Sequence, residues 1–407
     1  MAIKYLRSSP IKNKTVLLRV DVNVPIDNGK VSDSFRIEQV LPTIEFLREH
    51  GNKVIICGHL GRPGGKTDEK LSLKPVAHLL AELLHLKFVI TDSKMPDYGI
   101  GHLVFFTGNI TKDSHAAPVK ESPAKDIVLL ENLRFYPGEE DNDGAFAKKL
   151  ANLAQVYIND AFGVDHHASV SVSEMPKYLP SYCGLLLEKE IKALDAVLKG
   201  SKSPFVLMTG GIKLSEKVGA LENLGEKADR ILLGGGVANL IFKAKGYEVG
   251  LSRIEEGEIK TAWRIEKNFK HKMVLPQDVV VANEKMEKHS IRVCAPFEVG
   301  KHEMILDNGP KSILAFAGEI KQAKTIVWSG PLGYFEKKPF DTATMALARL
   351  IGGRGKGRAF VVAGGGDTVD AIRQAHQFEN IDHVSTGGGA MLEFLAGKKL
   401  PGIEALK

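Results

Sequence analysis

Glycine triplets follow strand-favouring runs at two places near the end of the chain. The run FVVA precedes glycines 364–366, the run HVST precedes glycines 387–389, and a helix-favouring segment follows each triplet. Because glycine has no Cβ, such loops bring backbone N–H groups against an anion, and the next helix aims its N-terminal amides at the same point. One triplet alone is weak evidence, since turns collect glycine. Two triplets this close in sequence predict one phosphate chain held by two helix ends.

Further residues of the second half fit a nucleotide. A third triplet, 234–236, follows DRILL, and Lys213 follows two glycines after another apolar run, where a cation suits a phosphate. Lys217 lies four residues further on, so in a helix it shares a face with Lys213, although an exposed helix lysine is the alternative. Asp367 is either a ligand of the Mg²⁺ that such phosphates require or a helix N-cap. Glu336 either accepts hydrogen bonds from a ribose or is solvated.

The first half places charged and polar side chains, not glycines, after its apolar runs. Arginine makes forked contacts with carboxylate and phosphate that lysine cannot make. A single loop arginine is more often a surface residue, but several near strand ends, together with histidines, favour a site for a small anion with phosphate and carboxylate groups. The residues are Asp21, Asn23, Arg36, His59, Arg62, Arg134 and His166.

Strands and helices in alternation must position these residues. Apolar runs of strand length lie at 15–25, 53–63, 126–135 and 154–163, and residues 35–51 have apolar side chains at helical spacing. This alternation predicts a parallel sheet with helices on its faces. Ligands of such sheets bind beyond the carboxyl ends of the strands, where the polar residues lie.

The second half repeats the rhythm after a helix expected at 185–200. The segment 91–125 is polar and low in periodicity, and is interpreted as a surface excursion without chemistry. The chain is thus predicted to form two doubly wound α/β domains on either side of a connecting helix.

Composition and charge limit the classes of ligand and partner that the chain is expected to bind. The net charge of +6 favours anionic ligands, but the basic residues are spread among acidic ones, which argues against nucleic acid. No apolar run reaches the roughly 18 residues of a membrane helix, and the N-terminus lacks a secretory core, so the cytoplasm is the expected location.

Three widely separated cysteines argue against a disulfide framework or a zinc site. The absence of GxxxxGK[ST] excludes a P-loop enzyme.

At this point the motifs identify a resemblance. The chain resembles the phosphoglycerate kinases along essentially its whole length, in the family's order and spacing. The matching segments are RVDVNVP, GHLGRP, LLENLRF, NDAFG, GGIKLSEK, LGGGVAN, LPQD, DNGPKS, WSGPLGYFE, AGGGDT and STGGGAMLEFLAGKKLPGIEAL. The resemblance implies a phosphoglycerate-binding domain of residues 1–184 plus 391–407, an interdomain helix at 185–199 and a nucleotide-binding domain at 200–390, joined by a hinge.

The resemblance also implies a reaction and its residues. The phosphoryl group passes reversibly between 1,3-bisphosphoglycerate with ADP and 3-phosphoglycerate with ATP and Mg²⁺, in a monomer whose two domains close about the hinge. The implied substrate-binding residues are Asp21, Asn23, Arg36, His59, Arg62, Arg134, His166 and His167. The implied nucleotide-binding residues are Gly211, Lys213, Lys217, Gly235, Gly309, Glu336, Gly365, Gly366, Asp367 and Thr368, with Asp367 on the metal. The implied catalytic residues are Arg36, Lys213, Gly388 and Gly389.

The chain departs from the family pattern in a few places. His167 stands where an arginine is usual, which predicts weaker substrate binding that improves as the pH falls. Ser329 replaces the usual asparagine, Ala343 replaces a glycine, and 91–125 differs from the usual length.

Two other functions are compatible with glycine loops that follow strands. A dinucleotide-dependent oxidoreductase also uses glycine loops, but no first βα unit carries GxGxxG followed by an acidic residue. A non-catalytic relative that only binds nucleotide or metabolite is expected to lose Arg36, Lys213 or Asp367, and all three are present.

Overall fold

The chain folds into two compact units. A computed structural model describes residues 3–8, 11–95 and 101–407. The first unit comprises Met1–Ile191 with Lys399–Lys407, and the second comprises Lys192–Lys398. A long helix, Leu185–Gly200, contains the point in the sequence where the first unit ends and the second begins.

A parallel sheet forms the centre of the first unit. Seven of the strands that the structure describes there pair in the order β5-β6-β7-β4-β1-β8-β9, and β2 and β3 form a separate hairpin. The strands are β1 Thr15–Val20, β2 Ile26–Asp27, β3 Lys30–Val31, β4 Lys53–Cys57, β5 Lys87–Thr91, β6 His102–Phe106, β7 Ile127–Leu130, β8 Val156–Asp160 and β9 Ser181–Cys183.

Helices cover this sheet because its central strands are apolar on both faces. Every residue of β4, β7 and β8 is buried, and Val16, Leu18 and Val20 of β1 belong to a core that includes residues of the first helix. The helices before the long one are α1 Phe35–Glu49, α2 Lys74–Leu83, α3 Asp113–Glu121, α4 Pro137–Glu140 and α5 Gly144–Ala151, and the long helix is α6 Leu185–Gly200.

The interpretation of 91–125 as a loop-like excursion is wrong where a strand and a helix lie within that segment. β6 is fully buried between β5 and β7, and α3 follows it. Residues 96–100 lie outside the described residues. The prediction failed because β6 is only five residues long and the sequence on either side of it is polar.

The second unit has a parallel sheet of its own. Among its described strands, six pair in the order β12-β11-β10-β16-β17-β18, and three form an antiparallel sheet in the order β14-β13-β15. The strands are β10 Phe205–Thr209, β11 Arg230–Leu233, β12 Met273–Val274, β13 Val279–Asn283, β14 Arg292–Cys294, β15 Glu303–Asn308, β16 Thr325–Ser329, β17 Phe360–Gly364 and β18 His383–Ser385. The sequence interpretation did not include the antiparallel sheet.

In each parallel sheet, the chain first adds strands towards one edge and then adds strands towards the other edge. In the second unit β10, β11 and β12 run towards one edge, and β16, β17 and β18 run towards the other, so the switch lies between β10 and β16. In the first unit the corresponding point lies between β1 and β8. Two doubly wound parallel sheets are thus confirmed, and the crevice at each switch point is where such sheets bind ligands.

The helices of the second unit follow its strands. They are α7 Val218–Lys227, α8 Gly235–Ala244, α9 Ile259–Phe269, α10 Pro310–Gln322, α11 Thr342–Gly352, α12 Gly366–Gln374 and α13 Gly388–Leu395. The last helix, α14 Pro401–Ala405, belongs to the first unit and packs on the short helix Val170–Glu174. No described helix is both long and apolar enough to cross a membrane.

Candidate active site

Asp21 and Asn23 leave the end of β1 and organise the first cluster of polar groups. Asp21 Oδ1 accepts the amide of Asn23 at 3.1 Å, and its Oδ2 lies 3.1 Å from Nη1 of Arg36 on α1. The same Nη1 donates to the Asn23 carbonyl at 2.9 Å, and Asn23 Oδ1 accepts the amide of Gly61 at 3.0 Å. Asp21 is buried, whereas the Arg36 side chain is 32% exposed, so a fixed guanidinium faces solvent here.

His59, which follows β4, is held by a residue that the sequence interpretation missed. Its Nδ1 lies 3.1 Å from Nη2 of Arg19, a buried arginine near the carboxyl end of β1. Because arginine only donates, this contact leaves the proton of the neutral imidazole on Nε2. Burial first, and then the charges of Arg19 and Arg134, hold the pKa of His59 well below its usual value. The sequence feature that could have identified Arg19 is its charge, the only one within the apolar run TVLLRV.

Arg134 and Arg62 add two further cations. Arg134 donates to the Gly61 carbonyl at 2.7 Å, and its Nε lies 3.2 Å from a carboxylate oxygen of Glu140. Burial lowers the pKa of Arg134, the charge of Glu140 opposes that effect, and the charges of Arg19 and Arg62 add to it. Arg62 itself is exposed.

The rings of His166 and His167 are in contact, with centroids 3.8 Å apart and planes tilted by 40°. His167 is exposed, and its charge adds to the burial and the arginine charges that lower the pKa of His59. The preceding Asp165 is fully buried and accepts Asn159 Nδ2 at 2.7 Å, and burial raises its pKa to about 7. The structure thus brings the predicted side chains of the first unit to the carboxyl ends of neighbouring strands, as a largely cationic surface.

Glycine loops interlock at the switch point of the second unit. Gly211 has φ of +75° and Gly235 has φ of +56°, a left-handed region that glycine adopts without strain. The amide of Gly211 donates to Pro331 at 2.8 Å, that of Gly235 donates to Leu332 at 2.9 Å, and Gly211 accepts from Val237 at 3.0 Å. Three loops therefore lie close together with little side-chain bulk.

Gly309 lies at the start of α10, against a buried aspartate. A Cβ on Gly309 would lie 2.4 Å from the carboxyl carbon of Asp278. Asp278 accepts the amides of Lys311 and Ser312 at 3.1 and 2.8 Å, so it caps α10 from outside the helix. The sequence interpretation did not identify Asp278 as the group that fixes this loop.

Lys213 and Lys217 lie in a turn and do not share a helical face, because α7 begins only at Val218. The side chain of Lys213 is 66% exposed and its Nζ lies 2.9 Å from Glu216, an interaction that raises its pKa. Lys217 is 9% exposed and donates to the Lys213 carbonyl at 3.3 Å, which excludes the exposed-lysine alternative. Burial lowers the pKa of Lys217, and the charges of Glu216 and Asp367 oppose that effect.

The starts of α12 and α13 lie side by side. A Cβ on Gly388 would lie 3.1 Å from Cα of Gly365. Gly365, at φ +101°, precedes the first residue of α12, Gly366, and no side chain caps this helix end. Gly388 and Gly389 open α13. Two sets of N-terminal amides therefore converge, as the glycine triplets predict.

Asp367 and Thr368 lie in the first turn of α12. Asp367 is exposed and is not the N-cap, which leaves its carboxylate open to a ligand. Thr368 is buried, and its hydroxyl accepts the amide of Gly330 at 2.7 Å. Glu336 is exposed after the turn that follows β16, a position compatible with either interpretation of it. Across the described residues, no three His, Cys, Asp or Glu side chains cluster as a preformed metal site.

Two of the departures from the family pattern are buried. Ser329 ends β16, and its carbonyl accepts the amide of Gly210 at 3.0 Å. The amide of Ala343 donates to Asp307 at 3.0 Å, and burial raises the pKa of Asp307 to about 7.

Comparison with known proteins gives one family. A family model described as phosphoglycerate kinase matches residues 6–398. The chain is 41% identical over 409 residues to the phosphoglycerate kinase of Pelotomaculum thermopropionicum, covering 100% of this chain and 99% of the relative. It is 42% identical over 412 residues to that of Moorella thermoacetica, with coverage of 100% and 99%.

Solved structures agree with the sequence relatives. Phosphoglycerate kinase from Coxiella burnetii aligns with a TM-score of 0.81 at 35% identity and covers 100% of this chain and 99% of that chain. The enzyme from Pyrococcus horikoshii aligns with a TM-score of 0.83 at 31% identity, with coverage of 99% and 98%. The chain therefore belongs to the phosphoglycerate kinase family, which confirms the enzyme class that its motifs predict, a phosphotransferase of glycolysis.

Proposed function

We propose that this chain transfers a phosphoryl group reversibly between 1,3-bisphosphoglycerate with ADP and 3-phosphoglycerate with ATP. The observation that carries the proposal is the contrast between the two switch points. The first unit presents arginine and histidine side chains there, and the second presents glycine amides and two lysines. One surface suits a small anion with several charges, and the other suits a phosphate chain attached to a flat base.

The first unit supplies the phosphoglycerate site in this proposal. Arg62 and Arg134, with His59, His166 and His167, take the phosphate. Asp21 and Asn23 take the hydroxyl and carboxyl end. Asp21 also fixes Arg36 beside the carboxyl group that reacts.

The second unit supplies the nucleotide site. Gly211, Gly235, Gly309 and Glu336 surround the adenosine, and Lys217 with the first turn of α12 contacts its phosphates. Asp367 would hold a magnesium ion through one hard carboxylate oxygen, because its side chain is exposed beside the start of α12. Bound magnesium neutralises charge on the phosphates and orients them.

The reaction needs charge stabilisation more than proton transfer. The attacking carboxylate of 3-phosphoglycerate is ionised at neutral pH, so no general base is required. Catalysis then depends on alignment and on positive charge around the moving group. Arg36, Lys213 and the amides of Gly388 and Gly389 supply that charge. Because reacting atoms must come within about 3–3.5 Å, we propose that the two units close during turnover and exclude water.

Location and assembly form part of the proposal. We infer a monomer in the cytoplasm that binds neither nucleic acid nor membrane, in keeping with dispersed basic residues. Size-exclusion chromatography with light scattering measures the assembly state directly, and a dimer would contradict the monomer.

A coupled assay tests the reaction. ATP and 3-phosphoglycerate are supplied, and ADP release is measured for the wild type and for Lys213→Ala. Turnover by the wild type and a large loss in the variant are expected. Calorimetric binding of both ligands without turnover would favour the non-catalytic alternative, and equal rates in the two proteins would exclude the role of Lys213.

A further inference from the structure

The turn that carries Lys213 and Lys217 lies between β10 and α7. Its closing hydrogen bonds run from Lys217 N to Leu214 O at 2.8 Å and from Val218 N to Leu214 O at 3.0 Å. Lys213 precedes these bonds, lies outside any helix or strand and has a largely exposed side chain. The position of its ammonium group therefore depends on what holds the turn in place.

A carboxylate from another part of the chain holds this turn. Oε1 of Glu255 accepts the hydroxyl of Ser215 at 2.5 Å, and Oε2 accepts the amide of Ser215 at 2.9 Å. The amide of Leu214 is also hydrogen-bonded to Glu255. These amides lie just before α7, where a helix start favours negative charge. Burial raises the pKa of Glu255, but the hydrogen bonds from Ser215 and Leu214 outweigh it and hold the pKa below its usual value.

The segment that carries Glu255 also contacts a glycine loop of the nucleotide site. A Cβ on Gly236 would lie 3.2 Å from the carbonyl oxygen of Arg253 and 2.9 Å from Cα of Ile212. The backbone of Arg253 and that of Ile212 therefore both pack directly against Gly236, at the glycine-rich start of α8. Glu255 connects the lysine turn to the loop that we assign to the nucleotide.

We propose that Glu255 is a positioning residue for phosphoryl transfer, which fixes the turn at 213–217 so that Lys213 meets the transferred group. The inference rests on the proposed function. It adds Glu255 as a residue that does not contact substrate and acts only through the position of Lys213. A lysine side chain is long and flexible, so a fixed backbone reduces the positions that its ammonium group can occupy. Small losses of alignment reduce transfer rates strongly.

A double-mutant cycle separates positioning from simple stabilisation. Glu255→Gln is made in the wild type and in Lys213→Ala, and kcat is measured at saturating ATP and 3-phosphoglycerate. In the wild type kcat should fall about 10- to 100-fold, with KM for 3-phosphoglycerate changed less than about twofold. In Lys213→Ala the same substitution should change kcat by less than about twofold, because no lysine is left to position.

The neighbouring Glu256 gives a matched control, since it is exposed and carries the same charge. Glu256→Gln should leave kcat unchanged. Ser215→Ala removes one hydrogen bond of the set and should lower kcat about two- to fivefold; if Glu255→Gln fails to fold, this variant takes its place in both backgrounds. An equal loss in both backgrounds, or no loss in the wild type, would overturn the inference while leaving the proposed function intact. Absence of turnover in the wild type would refute the proposed function itself.

Discussion

The two units offer positive charge by different chemical means. In the first unit, guanidinium and imidazole groups reach the site from buried strands and loops, and each needs partners that fix its direction. In the second unit, amides at the starts of α8, α12 and α13 are fixed by the fold of the loops. The comparison indicates that side-chain sites depend on a polar scaffold beneath them, whereas main-chain sites depend on the absence of side chains.

The scaffold beneath the first site is buried and hydrogen-bonded. Arg19 Nε donates to Ser171 Oγ at 2.7 Å, and the same hydroxyl donates to Glu139 at 2.5 Å. Asp165 lies in the same region, and a Cβ on Gly402 of α14 would lie 2.1 Å from its carboxylate oxygen. Buried charges of this kind cost stability unless they are paired. The second site has less need of such a network, because glycine amides carry their own partial charge.

The largest effect is expected from Arg36, the fixed cation of the first site. Arg36→Met should lower kcat about 100- to 1000-fold, because it removes positive charge from the transferred group and leaves Asp21 without its ion pair. Initial rates at saturating substrates measure this effect. Arg48→Met, at the other end of α1, is the control and should retain kcat. A kcat within about twofold of the wild type would remove Arg36 from the reaction.

Gly235→Ala tests the main-chain site. Its Cβ would lie 3.0 Å from the Gly211 nitrogen and the Pro331 oxygen, so Kd for ATP should rise about tenfold by calorimetry. Gly246→Ala is matched to it, with φ of +85° and open space around the Cβ. Both substitutions should lower the free energy of unfolding by on the order of 1 kcal/mol. Equal Kd values for ATP in the two variants would contradict the assignment of this loop.

His167→Arg sharpens the account of the first site. A permanent guanidinium in place of a histidine should lower KM for 3-phosphoglycerate about three- to tenfold near pH 7.5. The wild-type KM should fall as the pH drops towards 6, when histidine takes up a proton, and the variant should respond less. His289→Arg adds the same charge to an exposed position of the second unit and controls for net charge. An unchanged KM would remove His167 from the site.

The smallest effect concerns stability beneath the first site. Burial raises the pKa of Asp165 from 3.8 to about 7, so between pH 4 and 7 the folded state retains a proton that the unfolded state has lost, and stability falls as the pH rises. Asp165→Asn should therefore lose less stability than the wild type between pH 5 and 8, by about 1 kcal/mol or more. Urea unfolding at both pH values measures this difference. Asp113→Asn changes a largely exposed carboxylate and is the control, so its stability should depend on pH as that of the wild type does. The same pH dependence in Asp165→Asn and in the wild type would show that Asp165 ionises normally, which would contradict the prediction.

The sequence predicted well what depends on local pattern. Apolar runs such as KVIIC gave the strands, and the glycine triplets gave the paired helix starts of α12 and α13. It predicted poorly what depends on tertiary context. β6 is a buried strand within a polar neighbourhood, and the burial of Lys217 is decided by the surrounding loops. Arg19 was missed because its partners, His59 and Ser171, are 40 and 152 residues away in sequence.

One set of binding measurements tests the division of labour between the two units most directly. Calorimetric titrations with 3-phosphoglycerate and with ATP are made on the wild type, Arg134→Gln and Gly235→Ala. We predict that Arg134→Gln weakens only the binding of 3-phosphoglycerate and that Gly235→Ala weakens only the binding of ATP. If both variants weakened the same ligand, or if neither changed either affinity, the assignment of one anion to side chains and the other to backbone amides would be contradicted.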